Sequence, residues 1–163
     1  MQGSKARAAA GSGAYHSATL KRRSPRIRAT RQRAWRILGD IASMPRWAPG
    51  VSRVDITSDS RRGVGAVRNV VFEDGKTIEE HIVSWSAGSG FTYVATDGLP
   101  LRAYVATIAI NPNEKDGTIT ITWQSYMNSA KMPEGEFARL LDDMGRFYDG
   151  SLANLTEMLR GRK

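Results

Sequence analysis

The spacing of apolar residues changes twice along the chain. From Val51 they alternate with polar residues, and after Pro133 they recur every third or fourth position. Alternation is cleanest over 118–128, where Ile119, Ile121, Trp123 and Met127 oppose Thr118, Thr120, Thr122 and Gln124. A period of two predicts strands with one buried face. Further strands are predicted over 51–58, 65–72, 76–86, 91–96 and 101–110, separated by turns rich in Gly, Asp, Asn and Pro. Asp74-Gly75 is a hairpin signal, and connections this short make the sheet antiparallel, since parallel strands need crossover helices. A seventh strand is predicted within 15–27, where Pro25 confines it to a sheet edge or ends it.

The stripe from Phe137 to Leu159, with Met144 and Tyr148 inside it, predicts one helix over 133–160, about 42 Å long. Pro133 suits its first turn, and Glu134 and Glu136 favour its positive end. Gly145 and Gly150 each cost about 1 kcal/mol inside a helix, so the helix either approaches the sheet closely there or bends. A shorter helix is predicted after Thr30 as N-cap, with Ala34, Trp35 and Leu38 on its apolar side and a stop at Gly39-Asp40. A further helical turn, 41–47, ends at Pro49-Gly50. The fold class is α+β: a curved antiparallel sheet closed over a long C-terminal helix. One helix cannot cover every inward residue of so wide a sheet, which predicts an apolar hollow between them.

Charge adds an arm to this picture. The net charge is +8, yet no acidic residue precedes Asp40, and the first 39 residues hold ten lysines and arginines. The remaining residues carry 14 basic and 16 acidic side chains, a balance of −2. The basicity therefore belongs to the N-terminal arm, and residues 1–14 read as a disordered basic tail ahead of a single domain over 15–163. Such an arm suits contact with an anionic membrane surface, a solvated tail, or an Arg-rich leader for organellar import. A near-neutral body does not favour nucleic acid as partner. With no apolar run long enough to span a bilayer and no secretory-type apolar stretch, the expected location is cytoplasmic. The chain has no cysteine and only His16 and His81, which removes disulfides, thiolate chemistry and multi-histidine metal sites. No cofactor or metal is expected, and oligomeric state is unspecified.

Alternation also assigns faces. Over 76–86 one set is Ile78, Glu80, Ile82 and Ser84, opposed by Glu79, His81, Val83 and Trp85; over 65–72 Ala66, Arg68, Val70 and Phe72 share a face. Arg68 and Glu80 thus fall on an otherwise apolar face. A lone buried charge is too costly to keep, so the two should pair with each other or with a polar group of a ligand, and removing either should cost about 3–5 kcal/mol. Tyr93 and Tyr104 could bring hydroxyls to the same hollow. Trp47, between Pro45 and Pro49, could close one end of it, while Trp123 belongs to the core. His81 should face solvent, as should Asp142 and Asp143.

The stretches AWRILGDIASMPRWAPGV, GAVRNVVFEDGKTIEEHIVSW, FTYVATDGLPLRAYVATIAINP and ITWQSYM resemble the polyketide cyclase/dehydrase-type branch of the START-like, Bet v 1-like (SRPBCC) superfamily. The matching positions are Trp35, Asp40, Trp47, Gly65, Arg68, Glu80, Tyr93, Tyr104 and Trp123, in order over 27–160. The resemblance implies a helix-grip fold: seven antiparallel strands around the C-terminal helix, two small helices after the first strand, and a cavity for lipids, polyketides or similar ligands. The resulting expectation is a binding or carrier protein for a hydrophobic small molecule, with Trp47, Arg68, Glu80, Tyr93, Tyr104, Trp123, Met144 and Tyr148 as ligand contacts. The alternative is a cyclase- or dehydratase-type enzyme with Glu80 as its acid or base.

Overall fold

The computed structural model describes residues 13–161. Seven strands form one antiparallel sheet: β1 (Ser17–Arg23), β2 (Val51–Ile56), β3 (Val67–Phe72), β4 (Thr77–Ser86), β5 (Gly90–Asp97), β6 (Leu101–Asn113) and β7 (Thr118–Ser129). Their order is β1-β7-β6-β5-β4-β3-β2, so six strands run as a meander and β1 closes back onto the last of them. Between β1 and β2 lie α1 (Arg31–Leu38) and a 3-10 turn, Met44–Arg46; α2 (Glu134–Arg160) ends the fold. The curved sheet grips α2, the helix-grip arrangement of Bet v 1-like proteins.

The basic first strand finds its reason in its position. At the sheet edge Lys21 and Arg23 point to solvent, while Arg22 turns inward and pairs with Asp149 of α2 at 3.0 Å. Pro25 follows β1 without breaking the ladder. Ser24 bonds Ile121 through backbone and side chain, and Ile27 bridges to Ile119 beyond the proline. Of the tail expected over 1–14, residues 1–12 lie outside the described residues, and Ala14 already forms a bridge with Met132.

α1 starts where Thr30 Oγ1 accepts from the Arg33 amide, as its capping chemistry requires. Arg33 also donates to the carbonyls of Met158, Leu159 and Gly161, satisfying the negative C-terminal end of α2. α2 has 27 residues, and Pro133 sits at its N-cap rather than in its first turn. Its two interior glycines mark close approaches. A Cβ on Gly145 would meet Arg22 Nη2 at 2.8 Å, and one on Gly150 would meet Pro49 Cγ at 3.0 Å. Since the contact is with the far end of a flexible, partly exposed side chain that can shift by a few tenths of an ångström, Gly145→Ala is expected to leave stability unchanged or raise it by up to about 1 kcal/mol. A urea titration showing a loss above that size would mean that the Arg22–Asp149 contact is rigid.

One face assignment fails at a β-bulge. Register shifts between Ile82 and Ser84, so Trp85 lies opposite Phe91 and joins the inner face rather than the outer one. There its ring stacks on Phe91 at 5.6 Å and meets Trp35 edge-on at 5.0 Å. A bulge adds one residue, which reverses every later side chain in the strand. β6 runs past its expected end to Asn113. Its pairing with β5 stops at Ala109, so Pro112 stands where only β7 is alongside.

Candidate functional site

Between α2 and the inner face of β3–β7 lies a cavity of about 300 Å³, at the small end of the range for ligand pockets. Its mouth is formed by the β3–β4 turn (Asp74, Lys76), the β5–β6 turn (Gly98, Leu99) and the α2 face carrying Leu140, Asp143, Met144 and Phe147. Gly98 has φ +97°, and a Cβ there would press into the Thr77 carbonyl, so only glycine lets this turn lie so close to β4. The walls are Met44, Val70, Phe72 and Ile78; the closed end is Glu80, Tyr93, Tyr104, Trp123 and Tyr148. A larger hollow of about 720 Å³ lies on the outer face over β1, β7 and β6. It is an open, polar trough lined by Lys21, Arg23 and threonines, without an enclosing helix, and it resembles a solvated sheet face more than a ligand site.

The register pairs Arg68 with Glu80 across β3 and β4. Arg68 Nε and Nη2 both donate to Glu80 Oε1 at 2.9 Å, and Nη1 donates to the Ile41 carbonyl at 2.8 Å. The guanidinium also lies 5.1 Å from the Tyr93 ring centre and 5.7 Å from that of Phe91. Arg68 is 1% exposed and stands behind Glu80, off the cavity wall. Glu80 Oε2 accepts no hydrogen bond among the described residues. Burial pushes the Glu80 carboxyl above its ordinary range, and the facing arginine only partly reverses this.

Three tyrosines occupy the rest of the closed end. Tyr93 OH lies 3.4 Å from Tyr104 OH, which in turn contacts Tyr148 OH, and Trp123 Nε1 donates to Tyr93 OH at 3.1 Å. Trp123 stacks on Tyr148 with ring centres 4.1 Å apart and planes 9° from parallel. Burial raises Tyr93 and Tyr104 well above the usual phenol range and raises Tyr148 to about 12, the last held back by the Ser125 and Tyr104 hydroxyls. All three stay protonated at neutral pH. Ser125 Oγ is buried beside this network yet makes no hydrogen bond of ordinary geometry.

Of the eight residues expected to touch ligand, six line the cavity: Glu80, Tyr93, Tyr104, Trp123, Met144 and Tyr148. Arg68 is not among them and bonds Glu80, which is. Trp47 does not close the hollow; its indole is buried, donates to Ser43 Oγ at 3.0 Å and packs edge-on against Trp123. Sequence reasoning passed over Met44, Leu99, Leu140 and Phe147. The last two belong to the helical stripe and could have been found there, whereas Met44 and Leu99 sit in irregular segments with no periodicity to read. His81 faces outward as expected, beside Glu79 at 3.2 Å.

Among the described residues no cluster of three metal-ligating side chains occurs, and no helix is long and apolar enough to cross a membrane. No curated protein sequence matches the chain. Solved structures share its fold. XoxI from Bacillus cereus is 20% identical with a TM-score of 0.69, covering 90% of this chain and 95% of that one. A Thermobifida fusca protein is 24% identical with a TM-score of 0.70, over 86% and 92%. A Thalictrum norcoclaurine synthase, solved with a transition-state analogue, is 16% identical with a TM-score of 0.66, over 90% and 96%. The family described as polyketide cyclase / dehydrase and lipid transport matches residues 21–160, so the chain belongs to that family within the SRPBCC superfamily.

Proposed function

We propose that this protein binds a hydrophobic small molecule, of lipid or polyketide type, in the cavity between sheet and α2. The observation that carries this reading is the cavity itself: apolar at its walls, polar at its closed end and at the rim of its mouth, which two turns and one helix face form. A site of this shape offers desolvation along the walls and orientation at the end. Organic extraction of purified protein followed by mass spectrometry should release a bound apolar compound. Met144→Trp, which places an indole at the mouth, should weaken binding of that compound at least about tenfold, near 1.4 kcal/mol. Equal affinity in a folded Met144→Trp variant would put the ligand elsewhere.

A second reading is supported by Glu80. A buried cavity-lining carboxyl with raised pKa and one oxygen unbonded to Arg68 is suited to take up or deliver a proton in a cyclase- or dehydratase-type reaction. The norcoclaurine synthase neighbour is an enzyme built on the same fold. If the protein turns over a bound ketide-like substrate, Glu80→Gln should abolish turnover while leaving binding within about threefold. Unchanged turnover removes Glu80 from the chemistry.

A further inference from the structure

Resting on the binding reading above, we infer that the closed end of the cavity selects an uncharged oxygen acceptor, such as a ketone or ester carbonyl, and rejects carboxylates and amines. Two independent features lead there.

The first is a count of protons. Tyr93, Tyr104 and Tyr148 bring three hydroxyl protons, but only two oxygen–oxygen contacts join them. Trp123 Nε1 adds a donor to the trio and takes none of its protons. Whichever way the bonds run, one hydroxyl proton is left over. Ser125 Oγ, beside Tyr148, brings a proton of its own along with an acceptor, so counting it still leaves one over; among the described residues neither Glu80 nor any backbone carbonyl accepts from the three tyrosines. A buried donor without an acceptor is costly, and a ligand oxygen in the cavity relieves that cost.

The second is the charge already present. Glu80 and Arg68 balance each other, and each Arg68 nitrogen is occupied by Glu80 or by the Ile41 carbonyl. A ligand carboxylate would meet Glu80, not Arg68, because Glu80 forms the wall and Arg68 lies behind it. A ligand ammonium would pair with Glu80 only by leaving Arg68 uncompensated in a dry site. A neutral acceptor satisfies the spare hydroxyl and disturbs neither charge.

Four bicyclic probes of near-equal size separate these possibilities: naphthalene, 2-acetylnaphthalene, 2-naphthoate and 2-naphthylmethylamine, titrated calorimetrically into the full chain at pH 7.5. The acetyl compound should bind about tenfold tighter than each of the other three, since only it pairs the spare proton without adding charge. Replacing all three tyrosines by phenylalanine keeps the ring volumes and removes every hydroxyl, wherever the spare proton resides. In that variant naphthalene and 2-acetylnaphthalene should bind within about twofold of each other, and a tenfold acetyl preference that survives would overturn the inference. Naphthoate or the amine matching the ketone in wild-type protein would overturn the inference. If all four bind alike, the cavity reading stands and this inference falls; if none binds, both fall.

Discussion

Arg68→Met is expected to destabilise the protein by about 3–5 kcal/mol, while Glu80→Gln costs clearly less. The sequence led us to expect similar losses from either partner; the geometry separates them. Without Arg68, Glu80 is a carboxyl 6% exposed with no other hydrogen-bond partner among the described residues, and the Ile41 carbonyl loses its donor as well. Without the Glu80 charge, Arg68 still has the Ile41 carbonyl, the amide oxygen of the new glutamine, and the faces of Phe91 and Tyr93. Burial outweighs Arg68 in setting the Glu80 pKa, so the neutral form is the one the folded state favours relative to water. Chemical denaturation of both variants in parallel decides the matter. Equal losses would mean that the attraction, not the desolvation, dominates at this pair.

The same imbalance gives a pH signature. The folded Glu80 holds its proton to higher pH than the ordinary value of 4.5, so the native state binds more protons than the unfolded chain in that window. The stability this contributes is complete below the ordinary carboxyl pKa and is lost as pH rises through the folded one. Glu79 and Asp116, lowered by Thr96 and Thr118 hydroxyls respectively, act in the opposite sense: their contribution is present at neutral pH and lost on acidification. Subtracting the stability profile of Glu80→Gln from that of wild type isolates the first effect. The difference should fall with rising pH through the folded value, and in Arg68→Met the fall should extend to higher pH.

How much of this could be read from residues alone depended on periodicity. The six strands after Val51 and the long helix were legible because alternation and the three-to-four spacing persist over most of each element, bulges notwithstanding. Arg68 and Glu80 share a face as expected because the register shift beside Glu80 puts its extra residue, Thr96, on β5 and leaves the alternation of β4 intact as far as Ile82. Trp85 was misplaced because the extra residue at Val83 leaves no mark in a β-branched run. Trp47 was misread for a different reason: it follows a 3-10 turn, Met44–Arg46, that has no face pattern, and an indole between two prolines fits a lid or a packed core equally well. The tyrosine network was legible only in part. Tyr93 and Tyr104 share an inward phase, but their meeting with Tyr148 depends on how α2 is seated, which long-range packing decides. Membership of the SRPBCC family, read first from the order of tryptophans, Gly65, Arg68 and Glu80, extends over residues 21–160.

Trp123 should be the most sensitive apolar position of the site. It is 1% exposed, stacks on Tyr148, meets Trp47 and Phe147 edge-on, and donates its only N–H to Tyr93. Trp123→Ala removes an indole held on three sides and should cost about 3–5 kcal/mol. Trp123→Phe keeps an aromatic face against Tyr148 but takes away the donor and part of the volume, so its loss should be smaller, about 1–2 kcal/mol. The ordering matters because Trp123 is also a cavity wall. If the alanine variant folds, its enlarged hollow should accept a tricyclic analogue of the acetyl probe that wild type excludes, and gain stability when that analogue is added. A Trp123→Ala variant as stable as wild type, with no change in the size of ligand accepted, would mean that α2 closes onto the vacated space. The cavity would then be set by the seating of the helix rather than by the side chains that line it.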